Sequence, residues 1–188
     1  MKMASKTNEN KVWEYKSKTN KDDALAKLVK KDRTIVYTKP TMAKHLIDRI
    51  TFKDGDVVCE PCRGDGAFYN NFPDNVVKTY YEINEGKDFL QATEPVDYIA
   101  ANPPFVPRKL FWNFQQKAME ITRKKIYWLI NLSAMNVFTP KRLNEMKEQG
   151  WYITSQYIVA DKRWYGRYVW LEISKEPSDY YTWCKTTF

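Results

Sequence analysis

Val96-Asp97-Tyr98-Ile99-Ala100-Ala101-Asn102-Pro103-Pro104-Phe105 runs from an apolar strand into a rigid polar stop. Val96 to Ala101 is short, apolar and bounded by breakers, the pattern of a buried strand. Pro103 and Pro104 lack N–H donors and fix φ, so the chain leaves the strand as a stiff, extended turn. Such a turn holds two acceptors, the Asn102 amide oxygen and the Pro103 carbonyl, at a strand's carboxyl end. Phe105 adds a flat aromatic face. Two fixed acceptors and a stacking ring suit a planar group bearing an NH2, such as the exocyclic amine of adenine. The same residues also fit a strand followed by an ordinary Pro-Pro loop.

Upstream, Asp56 to Glu60 is a second apolar strand, running into Pro61-Cys62-Arg63-Gly64-Asp65-Gly66-Ala67-Phe68. A helix is expected to open there and reach Phe72. Gly64 and Gly66 remove side chains where backbone must approach a ligand. Val76 to Tyr81 is a third strand, ending at Glu82. An acidic residue one βαβ step beyond a glycine turn can accept from both hydroxyls of a ribose. The alternative is a strand-end glutamate facing solvent.

Asn102-Pro103-Pro104-Phe105 resembles the catalytic motif of S-adenosylmethionine-dependent amino-methyltransferases, above all the N6-adenine DNA methyltransferases. Glu60-Pro61-x-x-Gly64-Asp65-Gly66, with Phe68 after it, resembles that family's cofactor loop. The resemblance implies that backbone N–H groups of the loop meet the carboxylate of the cofactor's methionyl part and that Glu60 meets its amine. Gly86-Lys87-Asp88-Phe89-Leu90 is similar to the segment whose Asp accepts from the cofactor's adenine amine, here Asp88, while the next residue, Phe89, packs on the ring. Most members have a helix between these two motifs. Here there is no room for it, so that helix and the family strand that goes with it, next after Val76 to Tyr81, are expected to be reduced or lost. Tyr37-Thr38-x-Pro40 resembles the motif whose turn touches the methionine end of the cofactor. Ordinary capping of the helix that follows, with Met42, Leu46, Ile47 and Ile50 at helical spacing, accounts for Thr38 equally well.

Beyond Phe105, Lys109 to Arg123 is predicted as a helix with Leu110, Phe111, Phe114, Ala118, Met119 and Ile121 on its apolar side. Lys125 to Ile130 follows as a strand and Asn131 to Asn136 as an irregular loop. Thr139-Pro140 starts a helix that Gly150 ends. Trp151 to Ala160 and Arg167 to Ile173 have no helix between them, so they must pair as a hairpin. The expected architecture is an α/β doubly wound, mostly parallel sheet with a C-terminal antiparallel hairpin, the Rossmann-like class I methyltransferase fold. Residues 1–33 read as a basic, flexible arm and 34–188 as a single catalytic domain.

Composition narrows the classes further. The 188 residues are 43% hydrophobic and 15% aromatic, which indicates a folded domain with a full core. The longest apolar run, Ile126 to Ile130, is far too short to span a membrane, and no apolar leader stands in the first thirty residues. An intracellular location, cytoplasmic or nuclear, is expected. The net charge is +8, from 31 basic and 23 acidic residues, and nine lysines against four acids fall between Met1 and Lys31. That balance favours a polyanionic partner. Cys59-x-x-Cys62 would need two more ligands to hold zinc, and only Cys184 and His45 remain; no metal is expected.

The predicted reaction is transfer of a methyl group from S-adenosylmethionine to adenine N6 in DNA. Asn102 and Pro103 would receive the amine hydrogens, Pro104 would stiffen the turn, and Phe105 would stack on the extruded base. The alternatives are methylation of a protein glutamine amide and a non-catalytic nucleic-acid-binding subunit with the same fold. Topology puts the turn after Ala160 on the ligand-binding edge, so Lys162, Arg163, Trp164, Tyr165 and Arg167 are candidates for gripping nucleic acid. Little chain remains for target recognition, which a protein partner could supply.

Overall fold

The computed structural model describes residues 37–160 and 167–182. The predicted arm, residues 1–33, lies outside the described residues. Six strands, β1 (Val57–Glu60), β2 (Val77–Tyr80), β3 (Val96–Ala101), β4 (Thr122–Asn131), β5 (Tyr152–Val159) and β6 (Tyr168–Ser174), form one sheet in the order β2-β1-β3-β4-β6-β5. The first four run parallel. The sixth is antiparallel to both β4 and β5, so β5 points the same way as the first four. The carboxyl ends of five strands therefore share one edge, with the start of β6 beside them. This is the expected doubly wound α/β sheet with a terminal hairpin.

Both faces of the central strands are buried, which is why they read as unbroken apolar runs. Tyr98 and Ala100 of β3, with Tyr127 and Leu129 of β4, face one layer. There they meet Ala43, Leu46 and Ile47 of helix α1 (Pro40–Ile47). The alternate residues Ile99, Ala101, Ile126, Trp128 and Ile130 face the opposite layer. That layer is built from helix α2 (Arg108–Ile121) and helix α3 (Pro140–Glu148). Trp128 is fully buried at the centre, where its Nε1 donates to Gln115 Oε1 at 2.7 Å. Helix α2 buries Trp112 and Gln115 in addition to the expected positions, and Leu110 is only half-buried.

Two expectations are corrected. No α-helix follows the glycine turn; turns lead to a short 3-10 helix over Tyr69–Asn71. Gly64 and Gly66 have φ of 53° and 81°, a left-handed backbone through which no α-helix runs. Pro73 then closes the space after Phe72. The loop after β4 is regular where irregularity was expected, a 3-10 helix over Leu132–Val137 opened by Asn131 Oδ1 accepting from Ser133 N at 2.8 Å. Between β2 and β3 stand only two 3-10 turns, Ile83–Glu85 and Phe89–Gln91. The extra strand and helix are indeed missing, which leaves β2 at the sheet margin.

At the amino edge, opposite the strand ends, charges knit β1, β3 and β4 together. Asp97 Oδ2 accepts from Val57 N at 2.9 Å, and Arg123 grips the same carboxylate through two bonds of 3.1 Å. Lys124 pairs with Asp56 and lies 3.6 Å from Asp97.

Candidate functional site

The loops after β1, β2, β3 and β4 meet along the carboxyl edge, and the segment entering α1 joins them. Thr38 is buried there, but it does not cap the helix. Lys39 occupies the N-cap, without a side-chain cap bond. The Thr38 hydroxyl instead accepts from Asn102 Nδ2 at 3.3 Å. That bond ties together two segments 64 residues apart. A second tie comes from the glycine loop, where Cys62 Sγ donates to the Asn102 carbonyl at 3.3 Å. Burial pushes the Cys62 thiol well above its ordinary range, with Glu60 and Glu82 adding to the effect. It stays protonated and acts as a donor. Pro103 is buried, Pro104 and Phe105 are half-buried, and the Phe105 ring stands edge-on to Tyr168, centroids 6.2 Å apart.

The glycine turn is held from both sides. Glu82 Oε2 accepts from Gly64 N at 2.7 Å, and its other oxygen accepts from Asn84 N at 3.1 Å and Asn84 Nδ2 at 2.9 Å. Tyr37 lies across the turn with 53% of its surface exposed; a Cβ on Gly64 would come within 3.1 Å of its ring. On Gly66 a Cβ would meet Asn70 Nδ2 at 3.0 Å. Glu60 is buried beneath the turn, and its Oε2 accepts from Tyr69 N at 2.7 Å. Burial pushes its pKa up to about 8. The Tyr69 and Phe68 N–H groups pull it back, Asp65 adds to the rise, and Arg63 opposes it. Arg63 pairs with Glu85 and sits 4.1 Å over the Tyr80 ring, while Lys87 sits 4.0 Å from the same ring.

The predicted site residues divide into three groups. Thr38, Asn102 and the β1 loop are brought together; Glu60, Pro61, Gly64, Asp65, Gly66 and Glu82 lie at the same end of the sheet. Asp88 stands at the next turn, where Oδ1 accepts from Leu90 N at 2.9 Å. Phe68 and Phe89 do not line a site. Phe68 is 1% exposed and stacks on Trp170, and Phe89 is 2% exposed between Tyr81 and Phe114. Rings so deeply packed have no face to offer a ligand; half-buried Leu90 keeps some surface. Lys162, Arg163, Trp164 and Tyr165 lie outside the described residues. Arg167 is exposed at the start of β6, and its carbonyl accepts from Leu132 N at 2.7 Å. Sequence reading missed Cys62 as a partner of Asn102, for which no local signal exists. It quoted Tyr37 in the motif with Thr38 but gave the ring no role of its own.

A cleft of about 220 Å³ lies elsewhere, between α3, the start of β5 and residues 178–182. It is near the amino edge and shares no residue with these loops.

No family model and no curated sequence matches the chain. Solved structures do. One is a putative class I S-adenosylmethionine-dependent methyltransferase from Listeria monocytogenes, with a TM-score of 0.59 at 13% identity, over 83% of this chain and 66% of that one. Another is magnesium protoporphyrin IX methyltransferase from Synechocystis with bound S-adenosylmethionine, with a TM-score of 0.51 at 7% identity, over 71% of this chain and 76% of that one. Phosphoethanolamine N-methyltransferase 2 from Haemonchus contortus scores 0.51 at 13% identity, over 76% of this chain and 40% of that one. The fold is that of the class I methyltransferases. Identities this low carry the architecture and no more.

Proposed function

We propose that the protein transfers a methyl group from S-adenosylmethionine to the N6 amine of adenine in DNA. The observation that carries this reading is the Asn102 amide, which stands at the end of β3 beside Phe105 and is hydrogen-bonded to the Thr38 hydroxyl. The chain's residues fit the cofactor. Left-handed glycines at 64 and 66 bring bare backbone to the strand end, and Glu60, whose pKa burial raises to about 8, lies under the turn, where a cationic amine would favour its ionised form. Glu82 already accepts three hydrogens out of a capacity of about four. Gripping both hydroxyls of a ribose therefore requires the Asn84 side chain to swing away. Asp88 serves the adenine end and Thr38 borders the methionyl end. When bound, S-adenosylmethionine supplies a methyl group activated by its positive sulfur.

On the substrate side, Asn102 Oδ1 and the Pro103 carbonyl accept the two hydrogens of the target amine. The lone pair of that nitrogen is delocalised into the purine, which makes it a weak nucleophile. Acceptors placed for a pyramidal nitrogen bind the transition state better than the flat ground state. Phe105 gives the base a stacking face once it leaves the duplex.

The test is to incubate the protein with DNA and methyl-labelled cofactor, digest the DNA to nucleosides and separate them. Label in N6-methyl-2′-deoxyadenosine supports the proposal. Label found instead in glutamine of an added protein, or on another nucleoside, rejects it.

A further inference from the structure

We infer that the carboxyl edge is electrically divided, with a cofactor half that is acidic and a substrate half whose charged groups among the described residues are basic and form the track for a DNA backbone. The inference rests on the methyl-transfer reading for which half is which, but the division itself follows from topology. The loops after β1 and β2, residues 60–66 and 81–91, hold five carboxylates, Glu60, Asp65, Glu82, Glu85 and Asp88, against two cations. Both cations are engaged, Arg63 with Glu85 and Lys87 over Tyr80. The loops after β3 and β4, residues 102–109 and 131–141, together with Arg167, hold Arg108, Lys109, Lys141 and Arg167 and no acid at all.

These cations converge on one region. Arg108 opens α2, one turn before Trp112, and the Arg142 guanidinium lies 4.8 Å over the Trp112 ring. Arg142 Nη1 also donates to the Val137 carbonyl at 2.9 Å. The start of α3, where Lys141 sits, is thereby fixed against the start of α2. Arg167 reaches the same group through its carbonyl bond to Leu132. Arg108, Lys141 and Arg167 are all exposed, and none forms an ion pair with another described residue. The two loops also expose large apolar side chains, Val106 at 66% and Leu132 at 41%.

The chemistry on each half matches one reactant. S-adenosylmethionine carries a sulfonium, an ammonium and one carboxylate, a net positive charge that suits the acidic loops. A nucleic acid is a polyanion with apolar base faces, and exposed cations interleaved with exposed apolar side chains suit it. Opposite fields side by side also keep phosphates off the acidic half, which steers the duplex onto the loops around Asn102.

The experiment is titration of a fluorescent, adenine-containing DNA duplex with the full chain across a range of KCl. It compares wild type with Arg108→Gln/Lys141→Gln/Arg167→Gln, and takes Lys147→Gln, at the far end of α3, as the control. The slope of log K against log salt is expected to flatten by roughly 0.9 per lost phosphate contact, hence by about two to three in the triple variant. Lys147→Gln should match wild type, and S-adenosylmethionine affinity should be unchanged in both. An unaltered slope in the triple variant overturns the inference even if N6-methyladenine is made. The same holds if wild type does not bind the duplex, or binds an RNA of equal length more tightly. A flattened slope without any base methylation keeps the basic track and removes the catalytic reading instead.

Discussion

Thr38 and Asn102 stand or fall as a pair. Thr38→Val keeps the shape and removes the hydroxyl that meets the Asn102 NH2. Losing one hydrogen bond costs about 0.5–1.5 kcal/mol, and an amide held less firmly can turn its oxygen away. Turnover at saturating cofactor is expected to fall at least tenfold in Thr38→Val and to be largely kept in Thr38→Ser. A raised cofactor Kd with unchanged turnover would instead assign Thr38 to the cofactor alone. Asn102→Ala is expected to abolish transfer while sparing cofactor affinity. Glu60 makes a different prediction. Its pKa is about 8 in the fold against 4.5 ordinarily, so the native state holds the proton more tightly than the unfolded chain. Stability from that proton is full below about pH 4.5 and is lost as pH rises through about 8. The urea midpoint should fall between pH 5 and 8.5 in wild type and stay nearly level in Glu60→Gln; parallel curves would show that Glu60 is ionised throughout.

At the scale of elements, the glycine turn is the least replaceable piece. Gly66→Ala forces a left-handed alanine at φ 81°, costing about 1–2 kcal/mol, and presses its Cβ on Asn70. Adding Asn70→Ala should recover the contact part and leave the backbone part, readable as two steps in the urea midpoint. What the sequence disclosed of this region followed the same logic. Strands bounded by Gly and Pro were legible because both faces of the sheet are buried, and the hairpin was legible because no helix fits between Ala160 and Arg167. The helix after Gly66 was not legible, since a helix and a 3-10 turn share the spacing of Phe68 and Phe72. Phe68 and Phe89 were misplaced for a related reason. An aromatic next to a ligand motif looks the same whether it faces ligand or core, and only packing against Trp170 or Phe114 decides. Cys62 and Asn102 lie forty residues apart, so nothing local announces their bond.

Across the whole molecule, the two edges of the sheet do different work. The carboxyl edge gathers the loops, and the amino edge carries the ion cluster of Asp56, Asp97, Arg123 and Lys124. Burial pushes the Asp97 carboxyl up, but the Val57 N–H, Arg123 and Lys124 outweigh it and hold the pKa below the usual carboxylate range. Its contribution is present above the unfolded pKa near 4 and is lost as pH falls through the lower native value. Asp97→Asn should cost about 2 kcal/mol at pH 7 and blunt the acid limb of unfolding below pH 4. An acid limb as steep as wild type would mean that other carboxylates set it. The sheet is also uneven from side to side. Strand β2 has four residues and, among the described residues, only β1 beside it, and Val77 N and Tyr81 N point inward to Asp56 and Glu60. By alternation the Lys78 and Tyr80 amides face outward, so they should trade hydrogen for deuterium long before those of β3 and β4. The cofactor half is thus built on the part of the molecule that opens first, and a ligand held there would announce itself by slowed isotope exchange at the inward amides of β2, while the central strands, already locked, would register little.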